Sequence, residues 1–333
     1  MTQNPSASEG TARYAARFPE YRDSFRQAQG LTVSTLGLGT YLGPPDEATD
    51  HSYIEAARLA FQSGINFFDT AINYRNQRSE RALGVALADA ARDEFVICTK
   101  AGFLTPGAVP DFLTAGDVVG RMHSMAPDFL ADQIERSRAN LGVETIDVFY
   151  LHNPETQLGY VPRAEFERRL RTAFVRLEQL VSEGRIRYYG TATWDGYRRP
   201  DQLNLAAVAA IAREAGGEGH HFRFIQLPFN LGMVEAYAGG AESVLETAAR
   251  EGITVVASAS LMQAGVIGRM PEAVAEFLPG LESDAQRAIQ FTRSTPGIAV
   301  ALVGMSSAAH VRDNLGVAAV APATREQYAR FFS

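Results

Sequence analysis

The chain has 333 residues, a hydrophobic content of 46%, a formal net charge of −7 and a pI of about 5.5. This length suits one large α/β domain or two ordinary ones, and an acidic chain without a basic tract disfavours nucleic acid and anionic membranes as partners. The single cysteine, Cys98, excludes a disulfide within the chain and a thiolate metal cluster, and it favours a reducing, cytoplasmic location. No apolar run reaches the roughly 20 residues that a membrane span requires.

Residues 1–30 lack the apolar segment of a signal peptide. We interpret them as an N-terminal surface extension, in which 14–26 could form a loose amphipathic helix. Regular patterns begin only after residue 30, so we predict that 31–333 form a single domain.

From residue 31, short apolar runs alternate with stretches of helical periodicity. The runs typical of buried strands are 34–39, 65–69, 94–100, 146–152, 186–192, 222–227, 253–259 and 299–304. The stretches with apolar residues three or four apart are 51–63, 78–91, 127–141, 163–182, 203–215, 241–251, 284–294 and 308–318. Eight strands alternating with eight helices predict an α/β fold of the (β/α)8 TIM barrel type.

A doubly wound open sheet is the rival fold, and the stretch Leu36–Gly43 gives it some support. The spacing of its glycines is close to a dinucleotide-binding fingerprint, but the third glycine comes one residue late. The dipeptide Pro44–Pro45 follows, where the fingerprint requires the start of a helix. We therefore favour the barrel, with the glycines letting the chain turn tightly over a ligand at its mouth.

Two residues at the ends of apolar runs carry charge. Asp69 ends the second run, where a carboxylate is costly unless it faces a cleft or a partner, or caps the following helix. Lys100 ends the third run and is the one lysine among 31 basic residues, the other 30 being arginine. A lysine offers a compact ammonium with a tunable pKa, which suits proton chemistry or a Schiff base, whereas arginine stays protonated. Chance survival of one lysine is the alternative interpretation.

Chemistry in a barrel gathers at the carboxyl ends of the strands. Four titratable groups fall at three consecutive strand ends, namely Asp69 with Tyr74 in the following loop, Lys100, and His152. The spacing of the other histidines does not indicate a metal site, so we predict none. The sequence therefore indicates a functional site at this end of the barrel, for proton chemistry or a Schiff base.

Several segments resemble the aldo-keto reductase superfamily, a family of barrels that use a nicotinamide cofactor without a Rossmann domain. The likeness covers about residues 31–318, and the order of the Asp, Tyr, Lys and His segments is its most specific feature. The matching segments are Gly37–Thr40, Asn66–Ala71 with Tyr74, Thr99–Lys100, Leu151–His152, Gly184–Gly190, Gln226 with Phe229–Asn230, and Gly304–Asn314.

The resemblance implies that a hydride passes from the nicotinamide to a carbonyl carbon while Tyr74 protonates the carbonyl oxygen. Because free tyrosine has a pKa near 10, Lys100 is expected to make Tyr74 a better acid, and Asp69 is expected to hold Lys100. His152 is expected to donate a hydrogen bond to the carbonyl oxygen.

The resemblance also implies a cofactor site, with NADP (NADPH) favoured over NAD. The expected cofactor residues are Gly39, Thr40, Tyr41, Asp69, Thr193, Gln226, Ser258, Ala259, Leu261, Gly304, Ser306, His310 and Asn314. Some positions depart from the family pattern. Ala192 and Thr193 stand where Ser and Asn are usual, Ser258 replaces a stacking tyrosine, and Ser306 replaces a basic residue.

The loop 101–126 is long and rich in glycine, proline and apolar residues, as expected for a segment over a barrel mouth. We predict that Phe103 from this loop lines an apolar or aromatic substrate pocket with Tyr41, Trp194 and Phe229. The expected partner is a small-molecule carbonyl substrate, and the sequence does not indicate the oligomeric state.

Two other functions remain open from the sequence. One is a Schiff-base lyase with Lys100 as nucleophile. The other is a nicotinamide-binding sensor or regulatory protein on the same barrel, which the altered cofactor positions favour.

Overall fold

The computed structural model describes residues 7–239, 242–262, 265, 267–268, 270 and 272–332. Its strands are β1 (Phe25–Ala28), β2 (Leu31–Ser34), β3 (Leu36–Gly39), β4 (Phe67–Asp69), β5 (Val96–Ala101), β6 (Val118–Val119), β7 (His123–Ser124), β8 (Ile146–His152), β9 (Ile186–Ala192), β10 (Phe222–Pro228), β11 (Thr254–Ser258) and β12 (Ile298–Gly304). Its helices are α1 (Ala7–Ala15), α2 (Glu47–Gln62), α3 (Arg78–Leu87), α4 (Pro127–Leu141), α5 (Arg163–Ser182), α6 (Leu205–Gly216), α7 (Glu235–Ala238), α8 (Val244–Arg250), α9 (Glu272–Phe277), α10 (Asp284–Ser294), α11 (Ala308–Leu315) and α12 (Arg325–Ala329).

Eight strands pair in parallel and close into a barrel in the order β3, β4, β5, β8, β9, β10, β11, β12. Between successive barrel strands lie the helices α2, α3, α4, α5, α6, α8 and α10, and α11 follows the last strand. The predicted (β/α)8 barrel is therefore confirmed, and the open-sheet alternative is excluded.

The alternation of side chains along the strands explains where the polar residues point. Phe67 and Cys98 belong to the apolar cluster that fills the barrel interior. Asp69 and Lys100 follow two residues later, so they also point inward, but at the carboxyl end. The same spacing holds on β8 and β10, in the pairs Tyr150 with His152 and Phe224 with Gln226. A polar layer thus lies directly above an apolar interior.

The segment before the barrel differs from its prediction. The expected helix over 14–26 is wrong, because α1 ends at Ala15 and is followed by a 3-10 turn, Pro19–Ser24, and by β1. Strands β1 and β2 form an antiparallel hairpin whose turn residues, Gln29 and Gly30, both have positive φ, as tight hairpin turns require.

The hairpin crosses residue 30 and reaches into the barrel. Ala28, Leu31 and Val33 join the interior cluster at the amino ends of the strands. The division of the chain at residue 30 therefore stays a prediction, while the described part of the segment packs on the barrel.

A buried arginine links helix α10 to the residues on either side of the amino-terminal hairpin. Arg293 on α10 donates to the hydroxyls of Ser24 and Thr35, each at 3.0 Å, and to the carbonyl of Val320. Burial lowers the pKa of Arg293 to about 9. Within the described ranges, no helix is long and apolar enough to cross a bilayer, and no group of His, Cys, Asp and Glu side chains is arranged to hold a metal ion.

Candidate active site

A cavity of about 660 Å³ opens at the carboxyl ends of the strands. Its lining includes three of the four predicted catalytic residues, Asp69, Tyr74 and His152, while Lys100 lies buried beneath them. It also includes every predicted cofactor residue: Gly39, Thr40, Tyr41, Asp69, Thr193, Gln226, Ser258, Ala259, Leu261, Gly304, Ser306, His310 and Asn314. The structure therefore brings the two predicted sets together at one site.

Lys100 and Asp69 form an ion pair in the floor of the cavity. Lys100 Nζ lies 2.5 Å from Asp69 Oδ1 and also donates to the carbonyl of Thr70 at 2.8 Å. Burial alone would lower the pKa of Lys100, but the carboxylate of Asp69 and the phenol of Tyr74 together raise it. Lys100 is therefore an ammonium at neutral pH.

Tyr74 is held directly over this ammonium. Its hydroxyl oxygen lies 3.5 Å from Lys100 Nζ, and Nζ is 4.8 Å from the centre of its ring. Burial raises the pKa of the Tyr74 phenol, and the Lys100 ammonium counteracts that rise. The phenol therefore keeps its proton at neutral pH beside a cation that stabilises the phenolate.

The loop after Tyr74 has an unusual backbone. Arg75, Asn76 and Gln77 all have positive φ, which is rare for three consecutive residues other than glycine. The buried guanidinium of Arg75 fastens the turn by donating to the carbonyl oxygens of Pro44 and Asp46 and to the Asp50 carboxylate. Such strain persists only where the surroundings impose it, and it is common at functional sites.

His152 completes the group. Its ring packs edge-on against Tyr74, with centroids 5.7 Å apart, and against Phe103 at 5.2 Å. Burial, followed by the charges of Lys100 and His123, lowers the pKa of His152 well below its ordinary value. The imidazole is therefore neutral, and its Nδ1 is buried without a hydrogen-bond partner in the described chain.

Gln226 lies beside the carboxylate of Asp69, and the backbone amide of Thr193 donates to the carbonyl oxygen of Gln226 at 2.9 Å. Gln226 Nε2 donates to Asp69 Oδ2 at 2.8 Å, so Asp69 is held from both oxygens. The hydroxyl of Thr193 is buried, lines the cavity and has no partner among the described residues. An unpartnered hydroxyl in the cavity wall can donate to or accept from a ligand group such as a carboxamide.

The carboxyl end of β12 and helix α11 form another part of the cavity wall. Gly304, Ser306, His310 and Asn314 line it, and the side chain of Ser307 caps α11 by accepting from the amide of His310.

Three of the four predicted substrate-pocket residues line the cavity, namely Tyr41, Phe103 and Trp194. The structure corrects the prediction that Phe229 lines this pocket. Its ring is fully buried and stacks on Phe291 at 6.0 Å, and it is absent from the described lining. Phe229 follows the end of β10 with its side chain directed toward α10, so it packs in the core between the barrel and the helices.

Sequence reasoning missed several residues near the substrate side. Asn73 and Asn153 line the cavity next to Tyr74 and His152, and their adjacency to those residues was the available signal. Glu155 was also missed. Its Oε1 accepts from the backbone amides of Trp194, Asp195 and Gly196 at 2.8, 3.3 and 3.2 Å. It therefore positions the loop that carries the pocket tryptophan.

Known proteins resemble this chain in sequence. The family model of the Aldo/keto reductase family matches residues 35–270. A D-threo-aldose 1-dehydrogenase of a Pseudomonas species is 32% identical over 174 residues, which cover 49% of this chain and 51% of the relative. An NADH-specific methylglyoxal reductase of Escherichia coli is 31% identical over 186 residues, which cover 54% and 55%. The matches thus span about half the length of these curated relatives.

The fold also matches solved structures. The crystal structure of an aldo/keto reductase from Klebsiella pneumoniae in complex with NADP and acetate superposes with a TM-score of 0.67. The alignment covers 93% of this chain and 95% of that chain at 21% identity. At this identity the likeness concerns the fold alone.

Proposed function

The chain belongs to the Aldo/keto reductase family, and we propose that it is an oxidoreductase that reduces an aldehyde or ketone of a small molecule with NAD(P)H. The observation that carries the proposal is the convergence of Asp69, Tyr74, Lys100 and His152 on one cavity. When bound, the nicotinamide supplies a hydride to the carbonyl carbon. The side chains of this protein supply the proton, the orientation and the electrostatic environment.

Tyr74 is the proton donor in this proposal. Its phenol is protonated at neutral pH and borders the cavity, so it delivers a proton to the carbonyl oxygen as negative charge develops there. The ammonium of Lys100 stabilises the phenolate that remains. Asp69 keeps Lys100 protonated and in place, and Gln226 holds the second oxygen of Asp69.

His152 orients the carbonyl group. A neutral imidazole carries one N–H, and the nitrogen without a partner in the described chain, Nδ1, is assigned as the unprotonated one. The N–H is then on Nε2, the ring nitrogen that remains available to the cavity. A donor there stabilises the oxygen more strongly as its charge grows.

The residues around Thr193 fit a nicotinamide dinucleotide. Thr193 would offer its hydroxyl to the carboxamide, and Ser306 and Asn314, which line the same cavity, would help to hold the rest of the dinucleotide. Relatives and similar structures carry both NADH and NADP in their names. The choice of NADPH over NADH therefore stays a prediction, which we keep.

The Schiff-base alternative has little support from the geometry. Lys100 is fully buried, and its ammonium already donates to Asp69, Thr70 and Tyr74. A Schiff-base lysine must lose its proton and reach the substrate. The raised pKa of Lys100 opposes the first requirement, and its burial opposes the second.

Fluorescence titration with NADPH and with NADH, followed by a carbonyl screen with each dinucleotide, tests the proposal. The screen includes methylglyoxal, an aldose and an aromatic aldehyde. We expect saturable binding of at least one dinucleotide and its oxidation by at least one carbonyl. Tight binding without turnover on any carbonyl would support the sensor alternative, and no binding of either dinucleotide would reject both functions.

A further inference from the structure

A buried histidine that the proposed mechanism does not use lies behind the catalytic group. His123 on β7 is fully buried and belongs to the short hairpin of the loop 101–126. Its Nε2 lies 2.8 Å from the backbone carbonyl oxygen of His152. The pairing of β5 with β8 extends only to Ala101 and Leu151, so the imidazole provides this carbonyl with a donor beyond the end of the ladder.

Two further side chains fix which nitrogen of His123 carries the proton. The amide Nε2 of Gln157 lies 3.1 Å from His123 Nδ1. The amide oxygen of Gln157 accepts from Arg169 Nη1 at 3.0 Å. Because a guanidinium only donates, Gln157 must present its oxygen to Arg169 and its NH2 group to His123. Nδ1 of His123 is then an acceptor, and Nε2 carries the N–H that the His152 carbonyl needs.

We propose that His123 is a positioning residue for His152, held as the Nε2–H tautomer by Gln157, which Arg169 orients. This inference rests on the proposed function, in which His152 orients the carbonyl. Within the described chain, the ring of His152 has no hydrogen bond at Nδ1 to set its angle. Its position depends on its backbone and on the edges of Tyr74 and Phe103.

His123 acts on both supports. It donates to the backbone of His152, and its ring meets Phe103 edge-on at 5.2 Å, the same distance at which Phe103 meets His152. The fit around this contact is close. A Cβ added to Gly102 would lie 2.6 Å from the His152 carbonyl oxygen and 2.7 Å from His123 Nε2. A side chain at 102 would therefore separate the two histidines.

The titratable groups that face His123 are few among the described residues. They are His152 on β8 and, through Gln157, Arg169 on α5, which is itself paired with Glu165. Burial lowers the pKa of His123 to about 4, and the bond to the His152 carbonyl acts in the opposite direction. His123 therefore stays neutral under assay conditions, and only its tautomer matters.

The first test reads the tautomer by 15N NMR of histidine-labelled protein, a tractable measurement in a chain with six histidines. It needs no substrate, so it is independent of the proposed function. We expect Nε2–H at His123 in the unmodified protein. In Gln157→Glu, the carboxylate accepts from Nδ1–H, so we expect a protonated Nδ1. An Nδ1–H tautomer in the unmodified protein would overturn the proposal.

The second test separates positioning from general structure. Arg169→Met is compared with Arg168→Met, because both arginines pair with Glu165 but only Arg169 contacts Gln157. We expect kcat/KM for a carbonyl to fall by about tenfold in Arg169→Met, a loss typical of one hydrogen bond, with dinucleotide affinity unchanged. Arg168→Met should keep both values. Equal kcat/KM in the two variants would contradict the proposal.

The third test uses the shape of the side chain and the pH profile. His123→Phe keeps an aromatic ring but loses both hydrogen bonds, whereas the amide of His123→Gln still donates to the His152 carbonyl. We expect His123→Gln to recover most of the kcat/KM lost in His123→Phe. In Gln157→Glu, the carboxylate keeps a proton on Nδ1 of His123, so the proton lost as the pH rises is the one on Nε2. The bond to the His152 carbonyl is then lost, and kcat should fall. If His123→Gln and His123→Phe lose the same kcat/KM, His123 does not act through the bond to His152. The same conclusion follows if kcat of Gln157→Glu does not change with pH although Nδ1 of His123 is protonated.

Discussion

Lys100 Nζ lies 2.5 Å from Asp69 Oδ1, and both side chains are almost completely shielded from solvent. A buried ion pair is weak evidence of stabilisation, because the loss of hydration offsets most of the attraction. This pair has a third partner in Tyr74, whose hydroxyl lies 3.5 Å from the same nitrogen. The pair is therefore better explained by chemistry than by stability, because it keeps a cation next to the phenol proton of Tyr74.

Tyr74→Phe removes the proposed proton donor and leaves the ring in place. We expect dinucleotide affinity to stay within about twofold and kcat for carbonyl reduction to fall by about 10²–10⁴, the usual contribution of a general acid. Steady-state kinetics and fluorescence titration measure the two quantities. Tyr188→Phe is the control, since it removes a phenol hydroxyl that bonds to the carbonyl oxygen of Gln29 on the amino-terminal hairpin, outside the cavity. Full turnover in Tyr74→Phe would reject the assignment.

Lys100→Met leaves the carboxylate of Asp69 buried without its cation. We expect the free energy of unfolding to fall by about 3–5 kcal/mol, because breaking one side of a buried pair strands a charge. The double variant Asp69→Asn with Lys100→Met should recover much of this loss, since neither charge remains. Urea unfolding measures both, and equal stability of the single and double variants would argue against a stranded charge. Turnover should be lost in both.

The barrel and the polar layer could be predicted because their signals are local. Eight apolar runs alternate with helical stretches, and a two-residue period along a strand decides which side chains enter the interior. Once strand ends were located, Asp69, Lys100 and His152 had to meet at one end of the barrel. The resemblance to a family then supplied the cofactor residues, all of which line the cavity.

The parts that were missed depend on contacts between distant segments. Gln157, His123 and Arg169 are separated by up to 46 positions, and their hydrogen bonds leave no periodic pattern. Phe229 was misplaced because its sequence position at a strand end did not reveal that the chain turns its ring toward Phe291. The helix predicted over 14–26 was wrong for a local reason instead, because α1 ends at Ala15 and Pro19, which interrupts a helix, begins a 3-10 turn.

Thr193→Val tests the cofactor contact near the carboxamide. Valine has the same shape but lacks the hydroxyl, which is buried without a partner in the described chain. We expect dinucleotide affinity to fall by about tenfold, as for one lost hydrogen bond, and the free energy of unfolding to stay equal or rise. Thr191→Val is the matched control, because the Thr191 hydroxyl bonds to Tyr197 at 2.7 Å. Thr191→Val should lower the free energy of unfolding without changing dinucleotide affinity. If instead Thr191→Val lowers dinucleotide affinity and Thr193→Val leaves it unchanged, Thr193 is not part of the site.

Glu155→Ala removes the acceptor for three backbone amides of the loop that carries Trp194. We expect KM for an aromatic aldehyde to rise by about tenfold, because the pocket wall loses charge-assisted hydrogen bonds. KM for a small aliphatic aldehyde such as acetaldehyde should change little, since it does not reach this wall. Trp194→Ala should give the same selective loss, and Glu155→Gln, which keeps an acceptor oxygen, should give a smaller one. Equal rises for both aldehydes in Glu155→Ala would rule out a role confined to the wall.

Acid sensitivity of the fold follows from His123. Burial lowers its pKa from 6.5 to about 4, so the folded state favours the neutral imidazole. The resulting stability is fully present above pH 6.5 and is lost as the pH falls toward 4, because the unfolded chain binds the proton first. At about pH 5 the free energy of unfolding has fallen by about 2 kcal/mol from its value at neutral pH. His152, whose pKa is lowered well below 6.5, adds to the loss in the same direction.

Urea unfolding at intervals from about pH 7.5 to about pH 4.5 measures this dependence. The unmodified protein should lose stability steadily below about pH 6.5, and His123→Gln should lose about 2 kcal/mol less at about pH 5, because glutamine has no proton to bind. The stability of the double variant His123→Gln with His152→Asn should depend even less on pH. Since the glutamine amide in His123→Gln would still donate to the His152 carbonyl, this variant should keep its fold at neutral pH. Parallel curves for the unmodified protein and His123→Gln would mean that His123 is not buried as a neutral imidazole, and the assignment of its tautomer would fail with it.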